Sequence, residues 1–389
     1  MLFNLFALTI CFFTIIVLFI RNVNLLSPIF LTAVPWFLVF LTGIFVYDDF
    51  YPIADDAKLS WFIWYSISVM IFFILSVKNK VTNLETRKFR IIRFNYIYIL
   101  VLLILWLIYR IWIVGTTGPE HFLLNLRLSS NELEGFETLG LVGRFYPLIF
   151  SLFVFELCFK SESNKNRIFL LWIWMLLYAF ATMGKFSLLT PFLAWIVILS
   201  FQKKIKVKYL LYLFTLLFTA MMFMHFFRAS SDDSTTLYQV ISIYLYSPIV
   251  ALGNLSPSTE FFGMETFRFF YALFYSFSIS NIEPIKVILE YVNIPFPTNV
   301  YTIIRPYYND FGLFGVFLGS IFFSLFFGII FRLASKNIYF FQMYYAMLSI
   351  IILAQFFGDL FITLLSSHIQ LFICLLFVFL ISKKEYREY

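Results

Sequence analysis

Long, nearly charge-free hydrophobic stretches alternate along this chain with short loops that are mostly basic, and one much longer loop is inserted late. That rhythm restricts the fold more than any single motif. A bilayer core about 30 Å thick takes roughly 20 apolar residues per helical crossing. In lipid every backbone polar group must find its partner inside the protein, which helices achieve locally. The short alternating strands of a membrane barrel are absent. Only 13% of the 389 residues are charged and 62% are hydrophobic, against about 25% charged in a soluble domain. Lipid is therefore the expected solvent, and the expected fold class is an all-α polytopic integral membrane protein.

The spacing predicts eleven crossings, near 2–20, 25–47, 59–77, 94–114, 141–159, 168–183, 186–202, 209–227, 311–333, 339–357 and 360–381. They form a single membrane domain over 1–389. The first run lacks a basic leader and a small-residue cleavage site, so it reads as a retained helix. One set of alternate loops carries 19 of the 28 Lys and Arg residues but only five acids. The other carries nine basic and 16 acidic residues. By the positive-inside rule the first set is cytoplasmic, which puts the N-terminus outside and the C-terminus inside. The basic balance thus reflects topology, and no stripe for a nucleic acid is present. Cys11, Cys158 and Cys374 all fall in hydrophobic runs, without metal-ligand or disulfide spacing.

Two outer loops are substantial, at 115–140 and 228–310. Gly115, Gly118 and Pro119 break the helix before the first, and a short amphipathic helix is expected near 120–133. The second contains apolar runs at 236–253 and 266–280. A connector between them, 254–260, has no Lys or Arg, which argues against two further crossings. Both runs are expected to lie as helices on the outer membrane surface, roofing a cavity.

Ionisable residues are nearly absent from the middle of the crossings, whereas ion-coupled transporters usually bury them there. The charges gather at the outer mouth, which favours chemistry at the membrane surface. Arg305, before Pro306 and a crossing, is the leading candidate. Its planar fork matches phosphate oxygens, and the alternative is a cation snorkelling to the interface. Arg127, Arg228 and Arg268 sit at edges of outer loops with apolar flanks, and together could hold a diphosphate. Lys185, at an outer hairpin tip, runs against the charge bias. Asp48-Asp49, Asp55-Asp56 and Asp232-Asp233 read as solvated loop charges. Glu132, Glu265 and Asp310 are the candidate general bases, Asp310 having helix capping as its alternative. His121 could serve too. Gly312, Gly315 and Gly319 are expected to allow close helix packing.

The stretch Asn299-Val300-Tyr301-x-x-x-Arg305-Pro306-Tyr307-Tyr308-x-Asp310-Phe311-Gly312-x-x-Gly315 resembles the bacterial O-antigen polymerases, the Wzy family of oligosaccharide repeat-unit polymerases. The Gly184-Lys185-x-Ser187 hairpin, the ten or more crossings and the large late outer loop are similar to that family as well. The resemblance covers most of the chain in layout and about 20 residues in motif. It implies a GT-C-like membrane glycosyltransferase in the bacterial inner membrane. Its substrates would be oligosaccharide units on undecaprenyl diphosphate, and its partners the lipid bilayer together with a chain-length regulator and a flippase. Arg305, Arg268 and Arg228 would grip one diphosphate, and Arg127 and Lys185 the other. Glu132, Glu265 or Asp310 would take the acceptor proton. No metal, nucleotide or other cofactor is implied. A flippase for the same lipid-linked units and an O-antigen ligase are the alternatives.

Overall fold

The apolar runs become helices whose ends fall at charges, glycines and prolines. The computed structural model describes residues 1–76, 89–130, 136–159, 164–202, 215, 219, 237–255, 261–287 and 289–385. Among them, five helices are long and apolar enough to cross a membrane: Leu2–Ile20, Pro28–Phe45, Asp55–Ser76, Ile97–Thr117 and Arg305–Ser335. Shorter apolar helices, Tyr146–Cys158, Lys185–Phe201, Tyr339–Leu353 and Leu365–Ile381, coincide with four other expected crossings. Lys165–Thr182 coincides with a fifth. The run at 209–227 lies outside the described residues, apart from Thr215 and Thr219. The expected short helix of the first outer loop is present at Phe122–Ser130.

Local signals explain several of these ends. Proline occupies the first turn of Pro28–Phe45, where its missing N–H costs nothing. Asp55 and Asp56 occupy the first turn of Asp55–Ser76, facing the positive end of the helix dipole. Gly118 closes Ile97–Thr117 in an extended conformation. The Asn125 side chain satisfies that end, donating to the carbonyls of Gly115, Gly118 and Glu120 at 2.7–3.2 Å.

The sequence reads as one membrane domain, and the chain itself divides into two compact units. The first comprises 1–80, 235–336 and 351–368. The second comprises 81–234, 337–350 and 369–389. In the first unit, Arg305–Ser335 packs along Asp55–Ser76, and Leu2–Ile20 packs along Pro28–Phe45. The buried hydroxyls of Ser324 and Ser68 meet at 2.9 Å, and a Cβ added at Gly328 would strike Leu75. Buried amides replace salt links. Gln355 donates to Thr32 Oγ1 at 2.9 Å and accepts from Trp64 Nε1 at 3.1 Å. Asn4 donates to the carbonyl of Gly43 and to Tyr246 Oη at 2.8 and 2.9 Å. Inside an apolar core such fully made bonds select one arrangement of helices, because every alternative leaves a polar atom unpaired.

The second unit has a buried charge cluster. Glu156, 3% exposed, accepts from Tyr96 Oη, from Asn164 Nδ2 and from Arg167 Nη1 at 3.5 Å. Arg167 also donates to the Ile92 carbonyl at 3.0 Å and lies over the Tyr96 ring. Elsewhere in this unit, strand Phe89–Ile91 pairs antiparallel with Lys383–Glu385, and Arg90 caps the Phe379 ring at 3.8 Å.

One expectation needs correction. The apolar run at 236–253 does not lie on a surface throughout: its second helix, Ser247–Leu252, is buried at every position. Tyr246, also buried, reaches into the space above Gly43, so this run belongs to the core. Gly315 and Gly319 do allow close helix packing, against the helical segment that precedes them in their own chain. Gly312 breaks the Arg305–Ser335 helix at φ 60°, ψ −149°, a conformation almost confined to glycine. Residues 305–311 fold back there. A Cβ at Gly315 would lie 2.2 Å from the Tyr307 carbonyl oxygen, and one at Gly319 2.5 Å from the Tyr307 ring.

Candidate functional site

The reversal at Gly312 presents Arg305, because a straight helix would carry it a turn or two further along the axis. The guanidinium is fixed on three sides. Its Nε donates to Glu265 Oε1 and Oε2 at 3.3 and 3.2 Å, and Nη2 donates to Oε1 at 3.1 Å. Its face lies over the Tyr301 ring, 4.2 Å from the centroid. Glu265 is 8% exposed and also accepts from Asn309 Nδ2 at 2.8 Å. Asp310 sits behind this pair. It accepts from the backbone N–H groups of Glu265 and Thr266 at 3.3 and 2.6 Å, and so anchors the loop that carries Glu265.

One donor is left over. Among the described residues, Arg305 Nη1 is buried without a hydrogen-bond partner. An unmatched guanidinium N–H is costly away from water, and Arg305 is one of the residues that line a cavity of about 200 Å³. Glu265, Arg268, Lys286, Tyr301, Arg305 and Asp359 contribute to the lining. Arg268 has no carboxylate partner among the described residues. Its Nε donates to the Ile285 carbonyl at 2.6 Å and its Nη1 to the Thr363 carbonyl at 3.3 Å. Burial lowers its pKa, as expected of a cation that has lost water without gaining an anion.

Asp359 also lines the cavity. Its Oδ1 accepts from the N–H groups of Phe361 and Ile362 at 3.0 Å. Its Oδ2 accepts from the Thr363 N–H and hydroxyl at 2.8 Å. Burial raises its pKa, opposed by these four bonds. The turn so ordered carries the Thr363 carbonyl to Arg268. Burial likewise raises the Tyr301 phenol, while the Arg305 charge pulls it down.

Of the residues expected from sequence, the fold gathers Glu265, Arg268, Arg305 and Asp310. Arg127 and Lys185 belong to the second unit. Arg127 Nη1 donates to Ser130 Oγ at 3.3 Å, and Lys185 opens the Lys185–Phe201 helix behind a Thr182–Ser187 hydroxyl bond of 3.0 Å. Arg228 and Glu132 lie outside the described residues. His121 Nδ1 accepts from the Leu124 N–H at 3.4 Å. The paired aspartates also take partners: Asp55 holds Lys58 at 2.7 Å, and Asp56 accepts from Tyr308 Oη at 3.0 Å.

Asp359, Thr363, Asn309 and Lys286 are absent from the sequence-derived set. Asp359 carries a usable signal. It is the lone Asp, Glu, Lys or Arg between Lys336 and Lys383, and an isolated acid between two apolar helices needs a reason. No protein-family model, curated protein or solved structure matches the chain.

Proposed function

We propose that the chain is a metal-independent membrane glycosyltransferase that polymerises oligosaccharide repeat units carried on undecaprenyl diphosphate. In this reading the protein is GT-C-like, with eleven crossings in the bacterial inner membrane, its N-terminus periplasmic and its C-terminus cytoplasmic. The 228–310 loop then faces the periplasm. The observation that carries the reading is the Arg305–Arg268 cavity. Two arginines line one small chamber, and among the described residues Arg268 has no carboxylate partner while Arg305 keeps one N–H group unmatched. That is a preformed place for phosphate oxygens.

The chemistry asks little more of the protein. The acceptor hydroxyl oxygen attacks the anomeric carbon of the growing chain. The bond from that carbon to the diphosphate oxygen breaks, and the diphosphate leaves with the electron pair. Arg305 and Arg268 hold the charge that develops on it. The acceptor proton goes to a carboxylate. Of the two candidate bases among the described residues, Glu265 and Asp310, Glu265 lines the cavity. An arriving diphosphate competes with Glu265 for the Arg305 fork, which frees the Glu265 oxygens to act as base as the substrate binds.

The test is deletion of the gene in its host, followed by electrophoresis of the surface polysaccharide. Loss of the polymer ladder with a single-repeat band retained supports polymerisation. Loss of that band as well overturns it in favour of a flippase. Accumulation of lipid-linked polymer overturns it in favour of a ligase, and an unchanged ladder removes the reading altogether.

A further inference from the structure

The helix Arg268–Ser276 has no buried residue, although it begins at the wall of the cavity. Phe267, Phe270, Phe274 and Phe277 follow one another at helical spacing and are all exposed, Phe277 at 68%. At about 100° per residue they share one face, while Arg268 and Ser276 lie on the other. The tyrosines between are tied by their hydroxyls to polar atoms, Tyr271 to the Phe262 carbonyl and Tyr275 to Glu283 Oε1. The stripe carries no charge.

This stripe does not end in isolation. The Phe267 ring and the neighbouring Phe262, 77% exposed, both meet Phe311, at centroid distances of 6.2 and 5.1 Å. Phe311 immediately precedes the Gly312 break. Beyond it, residues 313–335 would span about 34 Å at 1.5 Å per residue, enough for a bilayer core. Their outer face, with Phe314 68% exposed, is apolar too. The aromatic stripe is thus continuous with the outward face of a helix able to cross the membrane, and joins it at the point where that crossing begins.

We infer that the Phe267–Phe270–Phe274–Phe277 face is a membrane-docking surface, whose partner is the headgroup–acyl boundary of the bilayer. The inference rests on the membrane reading of the long helices and not on the transferase reaction. Aromatic rings are well suited to that boundary, and an amphipathic helix lies in its plane with the apolar face down. The opposite face then holds Arg268 at the cavity. Lipid contact on one side of the helix becomes support for the site on the other. The cavity mouth sits at bilayer depth, within reach of the headgroup of an anionic lipid.

The test uses the full chain in phosphatidylcholine–phosphatidylglycerol vesicles. Cys11, Cys158 and Cys374 are replaced, and one nitroxide label is placed through Phe274→Cys, Ser276→Cys or Phe314→Cys. Collisions with dissolved oxygen are compared with collisions with a water-soluble nickel chelate. Oxygen preference at 274 and 314, reversed to chelate preference at 276, is the expected result. Chelate preference at 274 with oxygen preference retained at 314 overturns the docking surface and leaves the membrane reading intact. Chelate preference at 314 overturns the membrane reading itself. Spin–spin broadening at 274 that disappears on dilution with unlabelled protein means a second copy covers the stripe, and also overturns the inference. Phe270→Cys, on the same stripe, repeats the measurement at a second site, where the same oxygen preference is expected.

Discussion

Among the described residues two Arg–Glu pairs are buried, Glu156–Arg167 and Glu265–Arg305, and they differ in how completely they are closed. In the Glu156–Arg167 cluster every group closes on another: Tyr96, Asn164 and the Ile92 carbonyl complete the set. In the Glu265–Arg305 pair the fork is equally well made, but one guanidinium nitrogen remains unmatched, and Arg305 lines a cavity together with a second arginine. Ion pairing therefore does not distinguish a site from a staple. On the proposed reading, the leftover donor and the cavity lined by both arginines do. A buried pair contributes little net stability over an apolar substitute, yet loss of one partner strands the other. The closed cluster should therefore register in folding and the open one in chemistry.

The largest effect expected is on activity. Arg305→Ala, expressed at the normal level, should abolish polymer formation in a complemented deletion strain, a fall of about 100-fold or more. Arg305→Lys should not restore it, because a point charge cannot reproduce the fork. Ladder formation on a gel reads both. Wild-type ladders from Arg305→Ala would break the comparison at its root.

Removal of either carboxylate should come next. Glu156→Ala strands Tyr96, Asn164 and Arg167 together and should cost on the order of 3 kcal/mol or more. Thermal unfolding in detergent would show this, and the activity of the protein that remains folded should be unchanged. Glu265→Ala should lower the melting temperature and activity together. If the two variants behaved alike in activity per folded molecule, the distinction between staple and site would fail.

The Gly312 reversal that presents Arg305 can be tested more finely. A Cβ at Gly312 meets nothing within 4 Å, so Gly312→Ala should pay only for its φ of 60°, about 1–3 kcal/mol. Gly315→Ala meets the Tyr307 carbonyl directly and should be worse. Comparison of their melting temperatures separates backbone strain from steric conflict.

The smallest effect concerns Asp359. Burial raises its pKa above the ordinary 3.8, so the folded chain holds this proton more tightly than the unfolded one. The stabilisation this provides is complete below the unfolded value and is lost as pH rises through the folded one. The melting-temperature difference between wild type and Asp359→Asn should accordingly narrow as pH increases from about 4. A difference that widened with pH would mean that the four hydrogen bonds outweigh the burial.

The helices were legible because their cause is local. An apolar run satisfies its own backbone wherever it sits, and a proline or a pair of acids marks its start. Arg305 and Arg268 stood out for a similar reason, as cations in apolar surroundings at a loop edge. The roles were less legible. Glu265 and Asp310 were both candidate bases, Asp310 with helix capping as its alternative, yet one holds a guanidinium and the other accepts from two backbone N–H groups of a distant loop. Asp359 was not singled out, because its role, ordering the turn that delivers a carbonyl to Arg268, exists only in the folded chain.

By itself, the sequence determined a helical chain made for an apolar solvent, with its cations sorted between alternate loops, because hydropathy and charge act residue by residue over the length of a helix. Only the tertiary structure decided that residues 40 positions apart, Glu265 and Arg305, would share a bond while one guanidinium nitrogen was left unmatched. Such a leftover donor is the outcome of all neighbouring atoms being placed at once, and no single residue encodes it.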